Sequence, residues 1–190
     1  PLAVTAGLFR RINSKVQKFA EFRVEFPDEV AGEKSGADQV YSKIVRGDWQ
    51  CPDMIYPNDG DQGYVRVALD TKSVLFIENN LSSIDDPFLR SLLWSDLWRM
   101  VRDFELPLKS YARIVKAHLA GEKDLTLLSS IAGTVARGWS SVAFYWPRSN
   151  VNVRRERNQF LNEILEIYLK GLRSSVSGSD LEKLYFGNYL

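Results

Sequence analysis

The chain has 190 residues, and its 25 Lys and Arg against 24 Asp and Glu give a net charge of +1. Hydrophobic residues make up 45% and charged residues 26%, which excludes wholesale disorder, collagen-like repeats and a disulfide-rich miniprotein. Such a balanced charge exerts no pull toward nucleic acid or an anionic membrane, so neither is an expected partner. No apolar run approaches the roughly 18 residues of a membrane-spanning helix, and no signal peptide is expected.

One His and one Cys limit the chemistry of the chain. Because zinc sites usually combine several imidazole or thiolate ligands, no metal site is expected here. His118 lies near the carboxyl end of a predicted helix, where the dipole favours it, and Cys51 precedes Pro52 with no basic residue beside it in sequence. Both are interpreted as structural rather than as a base or a nucleophile. A lone Cys forms no internal disulfide, which favours a cytoplasmic location.

The first third of the chain has the pattern of β-strands. Leu2 to Arg11 is a predicted strand, and apolar residues then recur at every second position from Val16 to Phe26, which indicates a second, half-buried strand. Asn13-Ser14 between them predicts a hairpin turn. Lys18 and Phe19 break the alternation.

Further short strands and a turn follow before residue 70. A strong turn is predicted at Pro57 to Asp61. The additional predicted strands are Val40 to Val45, Met54 to Tyr56 and Tyr64 to Asp70. Tight connections favour antiparallel pairing. We therefore expect a small N-terminal antiparallel β-sandwich domain, complete or incomplete, over residues 1–70.

After residue 70 the apolar period becomes that of helices, and six helices are predicted. Helix starts are indicated by Asp85-Asp86-Pro87 and by Asp124. The predicted helices are Ser73 to Leu81, Asp85 to Glu105, Leu108 to Ala120, Asp124 to Tyr145, Val153 to Leu172, and one from Asp180. Short connections favour antiparallel neighbours in a loose helical-repeat array over residues 71–190. The expected fold class is α+β.

The paired carboxylates and the tryptophans are explained by structural roles. The carboxylate pair Asp59 and Asp61 lies in the predicted turn, and the pair Asp85 and Asp86 lies at a helix start, so neither is assigned to catalysis. Four tryptophans recur at helical spacing and are expected to pack in the core rather than form a wall that stacks a ligand. They are Trp94, Trp98, Trp139 and Trp146.

The densest basic run is the first candidate for contact with a peptide or a partner. It consists of Arg154, Arg155 and Arg157, with Arg148 nearby. Arginine binds carboxylate and phosphate in a bidentate way, so the run suits an acidic partner or a peptide carboxylate. The alternative is a solvated first helical turn. Cations at a helix N-terminus oppose the dipole, which sets this run apart from an ordinary charged face.

Two segments resemble a known family. The run PNDGDQGYVRVALD over residues 57–70 resembles the junction of zinc aminopeptidases of the aminopeptidase N family, where the last strand of a β-sandwich precedes a C-terminal helical domain. The run LLWSDLWRMVRDFEL over residues 92–106 is similar to a helix of that family. The resemblance covers most of residues 1–146 and weakens afterwards.

The resemblance implies a large zinc exopeptidase that removes N-terminal residues from peptides. In that family an upstream domain holds zinc through a His-Glu-x-x-His helix and a distant Glu, and binds the substrate amine with a Gly-x-Met-Glu-Asn loop. Neither motif is present here, so no catalytic or zinc residue is assigned, and zinc is expected in a catalytic domain outside this chain. The expected partners are that catalytic domain and, indirectly, the peptide substrate.

These expectations describe a non-catalytic fragment of a longer protein that is short of a complete helical domain. Its role would be to support and cap the active-site chamber. The rival interpretation is a stand-alone helical-repeat module that binds a protein partner on a concave surface and has no enzymatic activity. A small enzyme that uses Asp, Glu or Ser without His is a third interpretation.

Overall fold

The computed structural model describes residues 2–26, 51–135 and 141–189. The fold class is α+β, as predicted, with three strands and seven α-helices in these ranges. The chain divides into two compact units, Pro1–Asp96 and Leu97–Leu190. The predicted domain boundary at residue 70 remains a prediction, and the predicted strand Val40 to Val45 lies outside the described residues.

A long antiparallel hairpin begins the first unit. Strand β1 spans Leu2–Ile12 and pairs with β2, Lys15–Phe26. The turn residues Asn13 and Ser14 have φ of 47° and 69°. Positive φ at both positions matches the right-handed twist of the strands, which is why two-residue hairpin turns use this conformation. The predicted hairpin and its turn are confirmed.

The hairpin contains a bulge that explains the break in the alternating pattern. Leu8 pairs with Ala20 and Phe9 pairs with Lys18, so Phe19 faces no residue of β1 across the ladder. The extra residue separates two regularly alternating halves of β2. The Phe19 ring is held under the Arg10 guanidinium, whose carbon lies 4.5 Å from the ring centroid.

A third strand completes the described sheet. Strand β3, Met54–Tyr56, pairs antiparallel with Gly7 to Phe9 of β1, which gives the order β2-β1-β3. Val4, Ala6 and Val24 form a buried cluster on one face of this sheet. The prediction of β3 is confirmed.

The segment from Tyr64 to Asp70 was predicted as a strand, and this prediction is wrong. Val67 and Leu69 are buried while Tyr64 is fully exposed, so burial does alternate. However, the segment joins no ladder with any strand in the described ranges. The alternation reports which residues contact the core, and it carries no information about a hydrogen-bonding partner.

Two helices follow in the first unit, both with acidic caps. Helix α1 spans Thr71–Asn80, and Asp70 accepts a hydrogen bond from its Ser73 N–H. A short 3₁₀ turn follows it. Helix α2 spans Pro87–Arg102, and Asp86 accepts from the Phe88 N–H at 2.9 Å. Residues 97–102 of α2 belong to the second unit.

Helix α2 ends three residues before the predicted Glu105. Phe104 has φ of 61°, a left-handed conformation that stops the helix. The N–H groups of Glu105 and Leu106 both donate to the Met100 carbonyl, at 2.8 and 3.1 Å. They thereby satisfy a carbonyl that the ended helix would leave open.

The rest of the second unit is helical, and each helix start has a local cause. Asp124, Ser141 and Asn150 each accept a hydrogen bond from a backbone N–H in the first turn of the helix that follows. The helices are α3 (Leu108–His118), α4 (Leu125–Val135), α5 (Val142–Tyr145), α6 (Val151–Ser174) and α7 (Asp180–Tyr189).

The predicted single helix from Asp124 to Tyr145 is wrong. Helix α4 is described to Val135, and Ser141 then has an extended backbone, with φ of −101° and ψ of 158°. A residue in that conformation interrupts a helix, and the Ser141 side chain caps the new one. The sequence signal was present, because serine is a frequent N-cap.

Helices α6 and α7 pack closely at a glycine. A Cβ placed on Gly171 would overlap the ring of Tyr185, a residue that is only 6% exposed. The Tyr185 ring also lies beside Tyr168 of α6, with the ring centroids 6.3 Å apart. The absence of a side chain at Gly171 therefore makes room for the tyrosine ring.

Candidate functional site

The junction loop, residues 57–63 after β3, is closed by one buried asparagine. Asn58 is 3% exposed, and its Nδ2 donates to the Gly63 carbonyl at 2.9 Å and to Asp61 Oδ1 at 3.2 Å. Its Oδ1 accepts from the Gly63 N–H at 3.1 Å. Gly60 and Asp61 have positive φ, which the tight turn requires. The Asn58 amide thus forms hydrogen bonds with the backbone of Gly63 across the loop.

The same loop is fastened to the hairpin. The Asp59 N–H donates to the Thr5 carbonyl at 2.7 Å, and Lys18 Nζ lies 2.9 Å from Asp59 Oδ2. A Cβ on Gly7 would lie 3.0 Å from the Asp59 carboxyl. The hydrogen bonds that the Lys18 ammonium donates to Glu21 and Asp59 raise its pKa. Asp59 is therefore a fastening group, as its position in a turn suggested.

Side-chain hydrogen bonds of Ser73 and Tyr56 connect β3 to α1 and α2, the two helices of the first unit. Ser73 donates its hydroxyl to Asp70 Oδ2 at 2.6 Å and accepts the Ile55 N–H at 3.0 Å. Tyr56 is buried and donates its hydroxyl to Asp96 Oδ2 at 2.7 Å. Burial, followed by the hydrogen bond to Asp96, raises the pKa of Tyr56 above its usual range. These hydrogen bonds among Ile55, Tyr56, Asp70, Ser73 and Asp96 form the junction clamp, and its role is structural.

The other acidic pair and the tryptophans have the structural roles expected of them. Asp85 forms an ion pair with Lys15 at 2.6 Å, and Asp86 caps α2. The tryptophans within the described ranges are buried in the core, with exposures of 5–6%. These are Trp94, Trp98 and Trp146. Trp139 lies outside the described residues.

The single Cys has a basic neighbour that its position in sequence did not suggest. Lys72 Nζ lies 3.1 Å from Cys51 Sγ and donates to the Pro52 carbonyl at 2.6 Å. Lys72 is distant from Cys51 in sequence and comes close to it because the start of α1 lies beside the residues that precede β3. His118 is buried, with 7% exposure, in the last turn of α3, where it was predicted.

The four candidate arginines do not form one cluster. Arg157 is half-buried, and its Nε donates to the Ala143 carbonyl at 2.9 Å, which satisfies the end of α5. Arg154 and Arg155 are exposed on the first turns of α6, and Arg148 is exposed in the preceding loop. At about 100° per residue, Arg155 and Arg157 point to nearly opposite sides of the helix. Their role in peptide contact remains a prediction.

A groove that sequence reasoning missed lies between α3 and α6. It encloses about 260 Å³ above the stacked rings of Trp146 and Phe160, whose centroids are 5.3 Å apart. Ion pairs cross it twice, Lys109 to Glu156 at 2.6 Å and Lys116 to Glu163 at 2.8 Å. The sequence did contain a signal for this groove. Lys109 and Lys116 are seven residues apart, and so are Glu156 and Glu163, so the two lysines share one face of α3 and the two glutamates share one face of α6.

The Lys116–Glu163 pair should make a small contribution to stability that depends on pH. A hydrogen bond from Lys116, with a further one from Gln159, holds the pKa of Glu163 below its usual 4.5. A depressed carboxyl pKa stabilises the fold above pH 4.5, and this contribution disappears as the pH falls through the lower, folded-state value.

We expect a double-mutant cycle of Lys116→Met and Glu163→Gln to give a coupling of about 0.4 kcal/mol at pH 7 and none at pH 2, because both side chains are well exposed. Urea unfolding at the two pH values measures this coupling. An equal coupling at both pH values would contradict the assignment of the effect to the Glu163 charge.

The described residues contain neither a metal cluster nor a membrane span. No group of three or more His, Cys, Asp or Glu side chains in these ranges is placed to hold a metal ion. Within the same ranges, no helix combines the length and apolar character that crossing a bilayer requires.

Strand β3, the junction clamp and the helices after it define a class of helical domain that begins at a β-strand. Residues 54–186 match the family model of the ERAP1-like C-terminal domain, so the match begins at β3 and reaches α7. The chain belongs to this family. The similarity thus continues well beyond residue 146, where it was expected to weaken.

A curated relative agrees with this assignment. The chain is 27% identical over 158 residues to a protein named Aminopeptidase N from Streptomyces lividans. The aligned part covers 83% of this chain and 16% of that relative, so the chain spans about one sixth of the relative's length. The resemblance to the aminopeptidase N C-terminal region is confirmed.

Proposed function

We propose that this chain is the non-catalytic C-terminal region of an aminopeptidase N-like zinc peptidase, a hydrolase that removes N-terminal residues from peptides. The family match over residues 54–186 carries the proposal. The single His and single Cys of the chain support it, because they are too few for a zinc site of the usual kind. Zinc and the reacting groups therefore belong to a catalytic domain outside these residues.

The role of this region is to support and cap the active-site chamber. In this proposal the sheet unit is part of a β-sandwich, and the helices are the first members of a longer helical-repeat domain. The junction clamp supports this role, since Ser73 and Tyr56 join β3 to the helices of the first unit through side-chain hydrogen bonds. The partners are the catalytic domain and, indirectly, the peptide, and the location is cytoplasmic.

In this proposal the exposed arginines contact the peptide. Arg148, Arg154 and Arg155 have no side-chain hydrogen bond or ion pair to another described residue, so their guanidinium groups are available to a carboxylate. Arg157 is the weakest member, since its Nε already serves Ala143.

The isolated chain should hydrolyse no aminoacyl chromogenic amide, with or without added zinc. The physical reason is the lack of a zinc-binding set and of an activated nucleophile. Release of chromophore is measured against a heat-denatured control. Zinc-dependent turnover above that control would refute the non-catalytic assignment.

The mass of the native protein tests the proposal directly. An antibody raised to this chain should detect, in its source, a species several times heavier than 21.7 kDa. A native species of 21.7 kDa would instead favour the stand-alone binding module and would refute the chamber role.

A further inference from the structure

The junction loop contains an Asp–Gly bond, a pair of residues that is prone to spontaneous rearrangement in polypeptides. The Gly60 nitrogen can attack the side-chain carboxyl carbon of Asp59 and close a five-membered succinimide ring. Hydrolysis of that ring restores aspartate or gives isoaspartate, in which the main chain runs through the former side chain. Glycine favours the attack because it has no Cβ to obstruct the approach or to restrict the backbone.

The attacking nitrogen is available in the folded protein. Gly60 is exposed, and its N–H donates no hydrogen bond to any residue in the described ranges. Its φ of 78° is a conformation that glycine adopts readily. The fold therefore leaves the nucleophilic half of the Asp–Gly bond open to reaction.

The carboxyl half of the bond is held against the hairpin. Lys18 Nζ lies 2.9 Å from Asp59 Oδ2, and the Asp59 side chain is only 14% exposed. A Cβ added to Gly7 would lie 3.0 Å from the Asp59 carboxyl carbon, so that carbon packs closely on β1. The Asp59 N–H also donates to the Thr5 carbonyl at 2.7 Å. Ring closure draws the carboxyl carbon onto the backbone of the loop itself, so it requires the carboxyl group to give up these contacts.

We propose that Asp59–Gly60 is a site of spontaneous isoaspartate formation, which Lys18 and the close packing on Gly7 suppress while the loop is fastened to the hairpin. The step needs no oxidant or cofactor. A bond forms between the Gly60 nitrogen and Asp59 Cγ, a Cγ–O bond breaks, and the nitrogen's proton leaves with the carboxyl hydroxyl as water. Local opening of the loop permits the reaction. This inference does not depend on the proposed function.

The product would alter the junction permanently. Isoaspartate adds one methylene group to the main chain of the loop and moves the carboxylate onto the former Cα. The hydrogen bond to Thr5 and the ion pair with Lys18 then cannot both form again with their present geometry. Each opening of the loop therefore carries a chance of unfastening it irreversibly.

Incubation of the 190-residue chain in water enriched in ¹⁸O measures the reaction, because ring hydrolysis places one ¹⁸O atom in the product. Peptide mapping by mass spectrometry locates the label and separates aspartate from isoaspartate at residue 59. The chain unfolded in guanidinium chloride should react at the rate of a synthetic peptide covering residues 57–63. The folded chain should react at least about tenfold more slowly, because reaction waits for the loop to open.

Substitution of Lys18 tests the suppression directly. In the folded chain, Lys18→Met should raise the rate at Asp59 about fivefold, because it removes the ion pair and keeps an apolar stem of similar length. Lys15→Met is the matched control, since Lys15 lies on the same strand but pairs with Asp85, whose side chain is 71% exposed. It should leave the rate at Asp59 unchanged.

Each contrary outcome has a distinct meaning. Absence of label at residue 59 in the unfolded chain would overturn the site, and equal rates in the folded and unfolded chains would overturn its suppression by the fold. An unchanged rate in Lys18→Met, or equal acceleration by Lys15→Met, would overturn the role of Lys18. If Lys18→Met fails to fold, the comparison of the folded and unfolded parent chains still decides.

Discussion

Replacement of Asn58 by alanine should destabilise the first unit by about 2 kcal/mol, since a buried polar group left without a partner costs roughly 1–3 kcal/mol. Asn58 serves both the N–H and the carbonyl of Gly63, and Gly63 is buried. Alanine leaves the Gly63 N–H unpaired where solvent does not reach it, and the Gly63 carbonyl keeps only its hydrogen bond from the Val65 N–H at 2.9 Å. Urea unfolding of the variant, followed by far-ultraviolet circular dichroism, measures the loss.

Asn79→Ala is the matched control for this prediction. Asn79 is exposed on α1, and its amide donates to the Leu75 carbonyl at 2.8 Å. That carbonyl also has access to water in the absence of the amide, and alanine is the better helix former, so stability should change by less than about 0.5 kcal/mol. Equal effects of the two substitutions would mean that the Asn58 hydrogen bonds do not hold the junction.

The second large effect is expected at Gly171, where alanine should destabilise the second unit by about 2 kcal/mol despite its better helix propensity. A methyl group there would overlap the ring of Tyr185, which is buried and cannot turn away without disturbing its packing beside Tyr168. Thermal unfolding compares the variant with the parent chain.

Gly133→Ala provides the opposite expectation in the same unit. Gly133 lies within α4, and a Cβ there meets no atom within 4 Å. Alanine should therefore stabilise by about 0.5–1 kcal/mol. If the Gly171 effect arises from the ring, a Tyr185→Leu background should reduce it by more than half in a double-mutant cycle. A penalty that is unchanged in that background would assign the effect to something other than the tyrosine.

Local signals were sufficient to predict most of the elements. The Asn13-Ser14 turn and the caps Asp86 and Asp124 act within a few residues of their own position, so the sequence contains their cause. The strand predicted at Tyr64 to Asp70 failed because a strand also needs a partner, and pairing is decided by residues far along the chain. Alternation records burial alone.

The candidate site was predictable only in part. The two motif-like runs were sufficient to indicate the family, and the roles of Asp59 and Asp70 follow from turn and cap chemistry. Lys72 beside Cys51 could not be predicted, because their proximity depends on how α1 leaves the sheet. The arginine run is continuous in sequence, but its members differ in the helix: Arg157 donates to the end of α5, while Arg154 and Arg155 are exposed to solvent.

The bulge in β2 makes tolerance to deletion uneven along that strand. Removal of Phe19 would leave Lys18 paired with Phe9 and Ala20 paired with Leu8, so every existing partnership in the ladder would survive. The loss would be confined to the stack of its ring with Arg10. Removal of Arg23 would instead move Glu21 to the face that Phe22 now occupies, since side chains alternate with each residue. Evolution can therefore shorten this hairpin at Phe19 without rewriting its pairing.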